Sequence, residues 1–317
     1  MEKMREKIKS VMLAHAVADA LGVPVEFAKR EELDANPVTN MRGYGTYNVP
    51  AGAWSDDTSM SLAALDSLAS GNVDYNEIME NFVQWNRNGK YTPMGTTFDV
   101  GTTCHTAIAK YELLKNSATA CGLVAASSNG NGSLMRIQPF VLMAFCRDLT
   151  REACDDLVAN ASSMTHAHAR SVLGCQIYAT VLRALLEAPS ADAVKAAIAT
   201  ASTRYASSPE YAHYARIFAP DFEKLPREQI KSSGYVVDTL EAAIWCLLTT
   251  DNFRDCTLKA VNLGSDTDTV AAVAGGLAGA LYGYESIPTE WLDTLIRREY
   301  IEDMCERACD GWQKNSK

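Results

Sequence analysis

Apolar residues recur at steps of three and four along almost the whole 317-residue chain, and the alternating pattern of a β-strand is nearly absent. This spacing predicts helices almost throughout, with loops between them. The predicted helices cover residues 14–21 (as the end of a first helix), 57–68, 78–85, 103–114, 134–145, 151–164, 168–186, 191–205, 236–248, 253–263, 268–281 and 291–304. We therefore predict an all-α multi-helix bundle. Since no shift in composition marks a boundary, we expect a single domain over residues 1–317.

The charge of the chain argues against one class of partner. Lys and Arg number 29 against 39 Asp and Glu, a formal net charge of −10, whereas a surface that coats nucleic acid needs a basic stripe.

The charged start and the lack of an uninterrupted apolar run of about 18 residues predict neither a signal peptide nor a membrane partner. The nine cysteines are scattered without a CxxC pair, which indicates reduced thiols in a cytoplasmic protein.

Two short acidic motifs lie far apart in the sequence and share one design. Residues 54–58 read WSDDT and residues 264–269 read GSDTDT, each directly before an apolar helical pattern. Ser, Thr and Asp at a helix start are typical N-caps, and that interpretation stays open. A cap needs only one acceptor, however, and each motif offers two carboxylates with neighbouring hydroxyls. If the motifs meet, their like charges require cations, and oxygen ligands of this kind suit Mg²⁺ or Mn²⁺.

Two single acids and three regularly spaced glycines also bear on the predicted metal site. Glu26 follows a Gly/Pro helix exit among apolar residues, which fits either an exposed loop acid or a ligand turned inward. Asp99 precedes a predicted helix and fits either a cap or a cleft residue. Gly275, Gly279 and Gly283 share one helical face after the second motif, which predicts a very close contact with another helix.

A glycine-rich loop over residues 127–136 (SSNGNGSLMR) runs into a predicted helix. Free backbone N–H groups and the helix dipole make such a loop a seat for an anion, and Gly130 and Gly132 allow a ligand to approach closely. An ordinary turn with Ser133 as N-cap is the alternative, and the loop is not a P-loop because no Gly-Lys-Ser/Thr follows. His166, near another helix start, is typical of a structural histidine when considered alone.

In combination these motifs resemble the ADP-ribosylglycohydrolase family. The matching stretches are residues 18–27, 54–63, 98–103, 131–140, 165–168, 234–245 and 264–279, and they follow the order found in the family. The resemblance implies an all-α orthogonal bundle with a dinuclear metal cleft that holds two Mg²⁺ or Mn²⁺ ions. It further implies hydrolysis of the bond between ADP-ribose and a protein side chain, with an ADP-ribosylated protein as substrate and ADP-ribose as product.

The resemblance also implies roles for individual residues. The implied metal ligands, with Asp268 as the bridging ligand, are Glu26, Ser55, Asp56, Asp57, Asp266, Asp268 and Thr269. By the same likeness, the residues that bind the substrate are Gly132, Ser133, His166, Tyr235 and Asp99, and the catalytic residues are Asp99, Asp57, Asp268 and Glu26. Asp99 would either shuttle a proton or hold the guanidinium of a departing arginine.

Arginine is the first choice for the modified side chain, because the resemblance is closest to the arginine-directed branch of the family. Two alternatives stay open: hydrolysis of serine-linked or other O-linked ADP-ribose, and a non-catalytic protein that binds ADP-ribose. A metal phosphohydrolase on a helical scaffold is a third alternative, although the chain has no adjacent His-Asp pair.

Overall fold

The computed structural model describes residues 2–115 and 117–314 of the chain. Within these residues the backbone forms fourteen α-helices, several short 3₁₀ turns and two isolated β-bridges, and it forms no strand. The predicted all-α class is therefore confirmed. In chain order the helices are α1 (Glu2–Gly22), α2 (Arg30–Ala35), α3 (Asp56–Leu68), α4 (Tyr75–Asn88), α5 (Thr102–Leu114), α6 (Gln138–Cys146), α7 (Arg151–Ser163), α8 (Ala169–Glu187), α9 (Ala191–Arg204), α10 (Val236–Leu248), α11 (Phe253–Val261), α12 (Thr267–Tyr282), α13 (Thr289–Thr294) and α14 (Arg298–Lys314).

The centre of the fold is a pair of antiparallel helices, α1 and α12, both of which are largely buried. Two glycines of α12 create the close contact that the sequence predicts. A Cβ atom on Gly275 would lie 2.5 Å from Cβ of Ala18, and one on Gly279 would lie 2.5 Å from Cβ of Ala14. The expectation for the third glycine was wrong, because Gly283 has a φ of 81° and ends α12 instead of continuing its packed face.

The segment Glu2–Val25, which is α1 with the turn after it, has a mean hydropathy of 1.4 over an 18-residue window. By length and composition it is apolar enough to cross a membrane, although 89% of that window is buried inside the fold. Burial around the whole circumference is the pattern expected of the central helix of a helical core. The sequence shows no uninterrupted apolar run here because His15 and Asp19 interrupt it.

One predicted helix is shorter in the structure, and one helix is new. The segment predicted over residues 134–145 consists of a 3₁₀ turn, Leu134–Arg136, followed by α6. Pro139 stands in the first turn of α6, where its missing N–H is tolerated. The sequence analysis did not predict α2, because its six residues are too few to show a hydrophobic period and only Leu33 among them is buried.

The helix predicted over residues 291–304 is divided into α13 and α14. Leu295 is extended and Arg297 is left-handed with a φ of 54°, so the helical path breaks between them. The Ile296 N–H donates to the carbonyl oxygen of Gly52 at 3.0 Å, which ties this break to the loop before α3. The Ile296 N–H thus bonds to a remote loop instead of to a helical carbonyl oxygen. The spacing of hydrophobic residues cannot predict such a contact.

Candidate functional site

The C-terminal end of α1 and the N-terminal ends of α3 and α12 meet at one point of the fold. Gly22, the last residue of α1, lies so close to α12 that a Cβ atom there would be 2.3 Å from Cα of Asp268. The Thr267 hydroxyl donates to the carbonyl oxygen of Gly22 at 2.8 Å and secures the contact. The two acidic motifs, which begin α3 and α12, are thereby brought to the same place.

Hydrogen bonds join the two motifs directly. The Thr269 hydroxyl donates to Oδ2 of Asp57 at 3.2 Å, and the Ser55 hydroxyl donates to the same oxygen at 3.1 Å. Ser55 is the N-cap of α3 and its hydroxyl accepts from the Asp57 N–H, as the capping interpretation expects. Asp266 holds the N-cap position of α12, but its carboxylate accepts no capping hydrogen bond from the described residues of that helix. Capping therefore accounts for Ser55 and leaves the carboxylates available for another role.

An acidic cluster surrounds this junction. Glu26, Asp266 and Asp268 each place one carboxylate oxygen within 4.8 Å of the others. Within the described part of the chain, three buried oxygens here have no hydrogen-bond donor: Oδ1 of Asp57, Oδ1 of Asp266 and Oδ2 of Asp268. A buried oxygen without a donor costs about 1–3 kcal/mol. Hard divalent cations such as Mg²⁺ or Mn²⁺ prefer oxygen ligands, so the residues present fit such ions.

Burial also changes the protonation of this acidic cluster. It raises the pKa of Asp56, Asp57 and Asp268 well above the usual value of a carboxyl group, and the charges of neighbouring acids raise it further. Burial and the charge of Asp99 raise the pKa of Glu26 to about 9. So many acids in one buried place are stable as carboxylates only when cations neutralise them.

Asp19 belongs to the same network, and the sequence analysis missed it. Its buried carboxylate on α1 accepts from the backbone N–H and from the hydroxyl of both Ser55 and Thr58, at distances of 2.6–3.2 Å. Asp19 therefore caps α3 from a different helix and fixes the orientation of the first acidic motif. Burial raises the pKa of Asp19 to about 6. The available signal was a single acid within residues 11–22, which are mostly apolar.

The acidic cluster faces a cavity of about 350 Å³. Five residues predicted as ligands or catalytic groups line this cavity: Glu26, Asp56, Asp99, Asp266 and Thr269. Asp57 and Asp268 are fully buried behind the lining, and so is nearly all of Ser55. Another part of the wall comes from Gly130, Asn131, Gly132, His166 and Gly234. The cavity thus joins the acidic cluster to the glycine-rich loop, and we refer to it as the cleft.

Asp99 lies in the cleft and does not cap α5, whose N-cap is Gly101. Its backbone is left-handed with a φ of 51°, and burial together with the charge of Asp266 raises the pKa of its carboxyl group. The sequence analysis also missed Tyr47, whose hydroxyl donates to Oε2 of Glu26 at 2.5 Å. No sequence pattern pointed to Tyr47, because the contact depends on how the loop before α3 folds back over Glu26.

The glycine-rich loop is held against the second acidic motif. The Asn131 N–H donates to the carbonyl oxygen of Gly234, and its side-chain amide donates to Oδ2 of Asp266 at 2.9 Å. A Cβ atom on Gly132 would lie 2.9 Å from Cε1 of His166, so a larger residue would force the loop or the imidazole to move. The backbone N–H groups of Gly132 and Ser133 donate to no described residue, whereas the Ser133 hydroxyl is buried. Of these two residues only Gly132 lines the cleft, so its backbone N–H is available to a ligand there.

His166 and Tyr235 complete this part of the site. Nδ1 of His166 is 2.8 Å from the Thr165 hydroxyl, and burial together with the charge of Arg136 lowers the pKa of His166 to about 3. The imidazole is therefore neutral where it borders the cleft. Tyr235 is not among the described residues that line the cavity, but it follows Gly234, which does, and its hydroxyl accepts from Nη1 of Arg170 at 3.1 Å.

Comparison with known proteins gives one consistent result. Residues 1–317 match the sequence model of a family described as ADP-ribosylglycohydrolase. The chain is 35% identical over 307 residues to the ADP-ribosylarginine hydrolase Tri1 of Serratia proteamaculans (strain 568), covering 95% of this chain and 78% of that protein. It is 31% identical over 311 residues to the ADP-ribosyl-[dinitrogen reductase] glycohydrolase of Rhodospirillum rubrum, covering 97% and 96% of the two chains.

A solved structure gives the same result. It is named as an ADP-ribosylglycohydrolase-related protein complex, and it superposes on this fold with a TM-score of 0.82 at 28% sequence identity. The similarity covers 98% of this chain and 99% of that chain. The likeness thus extends over the whole helical bundle and is not confined to the acidic motifs.

Proposed function

This chain belongs to the ADP-ribosylglycohydrolase family, and from that premise we propose that it hydrolyses the bond between ADP-ribose and an arginine side chain of a protein. The relatives at 35% identity, which are named ADP-ribosylarginine hydrolases, support arginine as the modified residue. The observation that carries the proposal is the junction of two remote acidic motifs in one cleft, with buried carboxylate oxygens that lack donors.

The acidic cluster would hold two divalent cations, Mg²⁺ or Mn²⁺. The residues that would hold them are Glu26, Ser55, Asp56, Asp57, Asp266, Asp268 and Thr269. When bound, such ions supply Lewis acidity beside the sugar and neutralise the buried carboxylates. The hydrogen bonds from Ser55 and Thr269 to Asp57 orient the fully buried part of this set, and Asn131 orients Asp266.

The glycine-rich loop and its neighbours would position the ADP-ribose. The free backbone N–H groups of Gly132 and Ser133 are suitable donors for the diphosphate, because they add no charge and require no side-chain ordering. His166 is neutral and borders the same space, so it can form a hydrogen bond without adding a charge. The Tyr235 ring would lie against the nucleotide, held by its bond from Arg170.

Asp99 would act at the bond that breaks. Hydrolysis forms a bond between the water oxygen and the anomeric carbon and breaks the bond to the guanidine nitrogen, which gains a proton. Asp99 lines the cleft and has a raised pKa, so its carboxyl group can move that proton. In its ionised form it can instead pair with the guanidinium. The anomeric carbon gains positive character in the transition state, which the carboxylates of the cleft stabilise.

The partners and location form part of the same proposal. The substrate is an ADP-ribosylated protein and the product is ADP-ribose. The net charge of −10 disfavours nucleic acid as a partner, and we propose a cytoplasmic protein with no membrane partner. The nine cysteines are free within the described residues, and most are buried, which suits a reducing compartment.

The test is release of ADP-ribose from two modified proteins, one ADP-ribosylated on arginine and one on serine, with Mg²⁺, Mn²⁺ or EDTA. We expect release from the arginine-linked protein with metal and none with EDTA. Asp268→Asn should abolish release while the protein stays folded, whereas Asp192→Asn, at an exposed position of α9, should not. Release from serine alone, or binding of ADP-ribose without any release, would contradict the proposal.

A further inference from the structure

Phe27 combines two features that seldom occur together. Its side chain is 66% exposed although it is a large apolar residue, and its backbone is left-handed with a φ of 67°. A bulky residue in this conformation is strained, and strain of this kind persists where the surrounding structure enforces it. Phe27 also lines the cleft, directly after Glu26.

Two backbone hydrogen bonds enforce the conformation of Phe27. Its N–H donates to the carbonyl oxygen of Ser265 at 2.7 Å, and the Ser265 N–H donates to the carbonyl oxygen of Ala28 at 2.8 Å. Ser265 is itself left-handed with a φ of 66°. The pair joins the segment that carries Glu26 to the segment that carries Asp266. The backbone of Phe27 is thus fixed where the segment of Glu26 meets the segment of Asp266, at the edge of the cleft.

The packing of the fold does not explain the exposed ring. The ring of Phe27 is mostly in contact with solvent, so it contributes little to the core. Tyr44 shows that exposure and left-handed backbone also occur away from the cavity, because it is 73% exposed at a φ of 59° and is not among the described residues that line the cleft. Phe27 differs from Tyr44 in its position beside Glu26.

The side chains that border the cleft around Phe27 suit a guanidinium group. Carboxylates of Glu26 and Asp99 border the cleft together with the aromatic ring of Phe27. A planar guanidinium can pair with a carboxylate along its edge and stack on an aromatic ring with its face. A serine hydroxyl carries no charge and has no flat face, so it gains from neither contact.

We propose that Phe27 is a specificity-determining residue whose ring contacts the guanidinium of the arginine that departs from ADP-ribose. This inference rests on the proposed function and adds the contact that selects the departing side chain. The fixed backbone places Cβ of Phe27 at the edge of the cleft before the substrate binds, so only the side-chain torsions remain to be ordered on binding.

The test compares Phe27→Leu, Phe27→Trp and, as a matched control, Tyr44→Leu. The readouts are kcat/KM on a protein ADP-ribosylated on arginine and the Kd for free ADP-ribose, both with Mg²⁺. Phe27→Leu should lower kcat/KM roughly fivefold through KM, with the Kd for ADP-ribose unchanged, because ADP-ribose carries no guanidinium. Phe27→Trp should keep kcat/KM at the wild-type value or above it, since tryptophan binds cations best, and Tyr44→Leu should match the wild type.

Three results would overturn this inference. They are an unchanged kcat/KM in Phe27→Leu, an equal loss of affinity for ADP-ribose, and a loss in Phe27→Trp as large as in Phe27→Leu. The second would mean that the ring stacks on the nucleotide. If Phe27→Leu does not fold, Phe27→Asn takes its place with the same expected loss, because asparagine tolerates a left-handed backbone and has no aromatic ring. Failure of the proposed function itself would be distinct, because the wild-type protein would then release no ADP-ribose from the arginine-linked substrate.

Discussion

The Thr269 hydroxyl donates a 3.2 Å hydrogen bond to Oδ2 of Asp57, although 212 positions separate the two residues in the chain. The bond exists because Gly22 lets the end of α1 touch the start of α12, which brings two helix N-termini together. The same packing collects carboxylates that lack donors, and these are the groups that a divalent cation would satisfy. The acidic cluster is therefore a consequence of how three helices meet.

Asp19 should be needed for the stability of the fold, because it caps α3 from α1. In Asp19→Asn one of the two acceptor oxygens that serve Ser55 and Thr58 becomes an amide nitrogen. We expect the free energy of unfolding to fall by about 1–3 kcal/mol, measured by urea denaturation with EDTA present. Asp192→Asn, on the exposed face of α9, should change it by less than about 0.5 kcal/mol. Equal stability of the two variants would mean that Asp19 does not hold α3.

Gly279→Ala should destabilise the central helix pair. The new Cβ atom would lie 2.5 Å from Cβ of Ala14 and 2.6 Å from the carbonyl oxygen of Ser10, so α1 and α12 must separate. We expect a loss of about 1–3 kcal/mol, visible as a lower Tm. Gly101→Ala is the matched control, because no described heavy atom lies within 4 Å of its Cβ position. A Tm equal to that of Gly101→Ala would show that the helices are not in close contact.

Gly132→Ala should weaken the binding of ADP-ribose. Its Cβ atom would lie 2.8 Å from Sγ of Cys104 and 2.9 Å from Cε1 of His166, which forces the loop or the imidazole to move. We expect the Kd for ADP-ribose to rise about tenfold or more by calorimetry, equivalent to about 1.4 kcal/mol. Gly279→Ala, remote from the cleft, should keep the wild-type Kd at a temperature where it is folded. A wild-type Kd for Gly132→Ala would show that the glycine-rich loop does not take part in binding ADP-ribose.

Without metal, stability should fall as the pH rises. Glu26 has a pKa of about 9 in the folded protein against an ordinary 4.5, and Asp19 about 6 against 3.8. Because the folded state binds these protons more tightly, their contribution is fully present below the ordinary values and is lost as the pH approaches the raised values. In EDTA we expect the Tm to decline between about pH 5 and pH 9.

Saturating Mg²⁺ should reduce the decline of the Tm with rising pH, because the cation binds the deprotonated carboxylates and stabilises the folded state. Asp268→Asn should reduce the decline in EDTA as well, since it removes a carboxyl group whose pKa is raised by burial and by the charge of Glu26. The measurement is a thermal melt over this pH range with and without metal. A Tm in EDTA that rises steadily with pH would contradict the raised pKa values.

The sequence predicts the all-α class and the helix starts at both acidic motifs, because hydrophobic period and capping residues are local signals. It does not predict the break at Leu295, which depends on the hydrogen bond between Ile296 and Gly52. It also placed Gly283 on the same helical face as Gly275 and Gly279, because a glycine that ends a helix can have the same spacing as one that packs within it.

The same distinction applies to the site. The acids of the two motifs stand out by composition, whereas Asp19 and Tyr47 act through hydrogen bonds to residues that are remote in the sequence. Ser133 shows the converse, because its place in the loop was predicted, but its hydroxyl is buried and accepts a hydrogen bond from the Ser162 hydroxyl at 2.9 Å. Side-chain direction depends on tertiary packing, which one sequence does not reveal.

The most direct test of the shared metal site is a calorimetric titration of the metal-free protein with Mn²⁺, on the wild type, Asp57→Asn and Asp266→Asn. The two variants change one acid in each of the two motifs, which the bond between Asp57 and Thr269 joins. We predict two tightly bound ions per chain in the wild type and a loss of affinity for both ions in each variant. Wild-type affinity in either variant, or a wild-type protein that binds no Mn²⁺, would contradict a site built jointly by the two motifs.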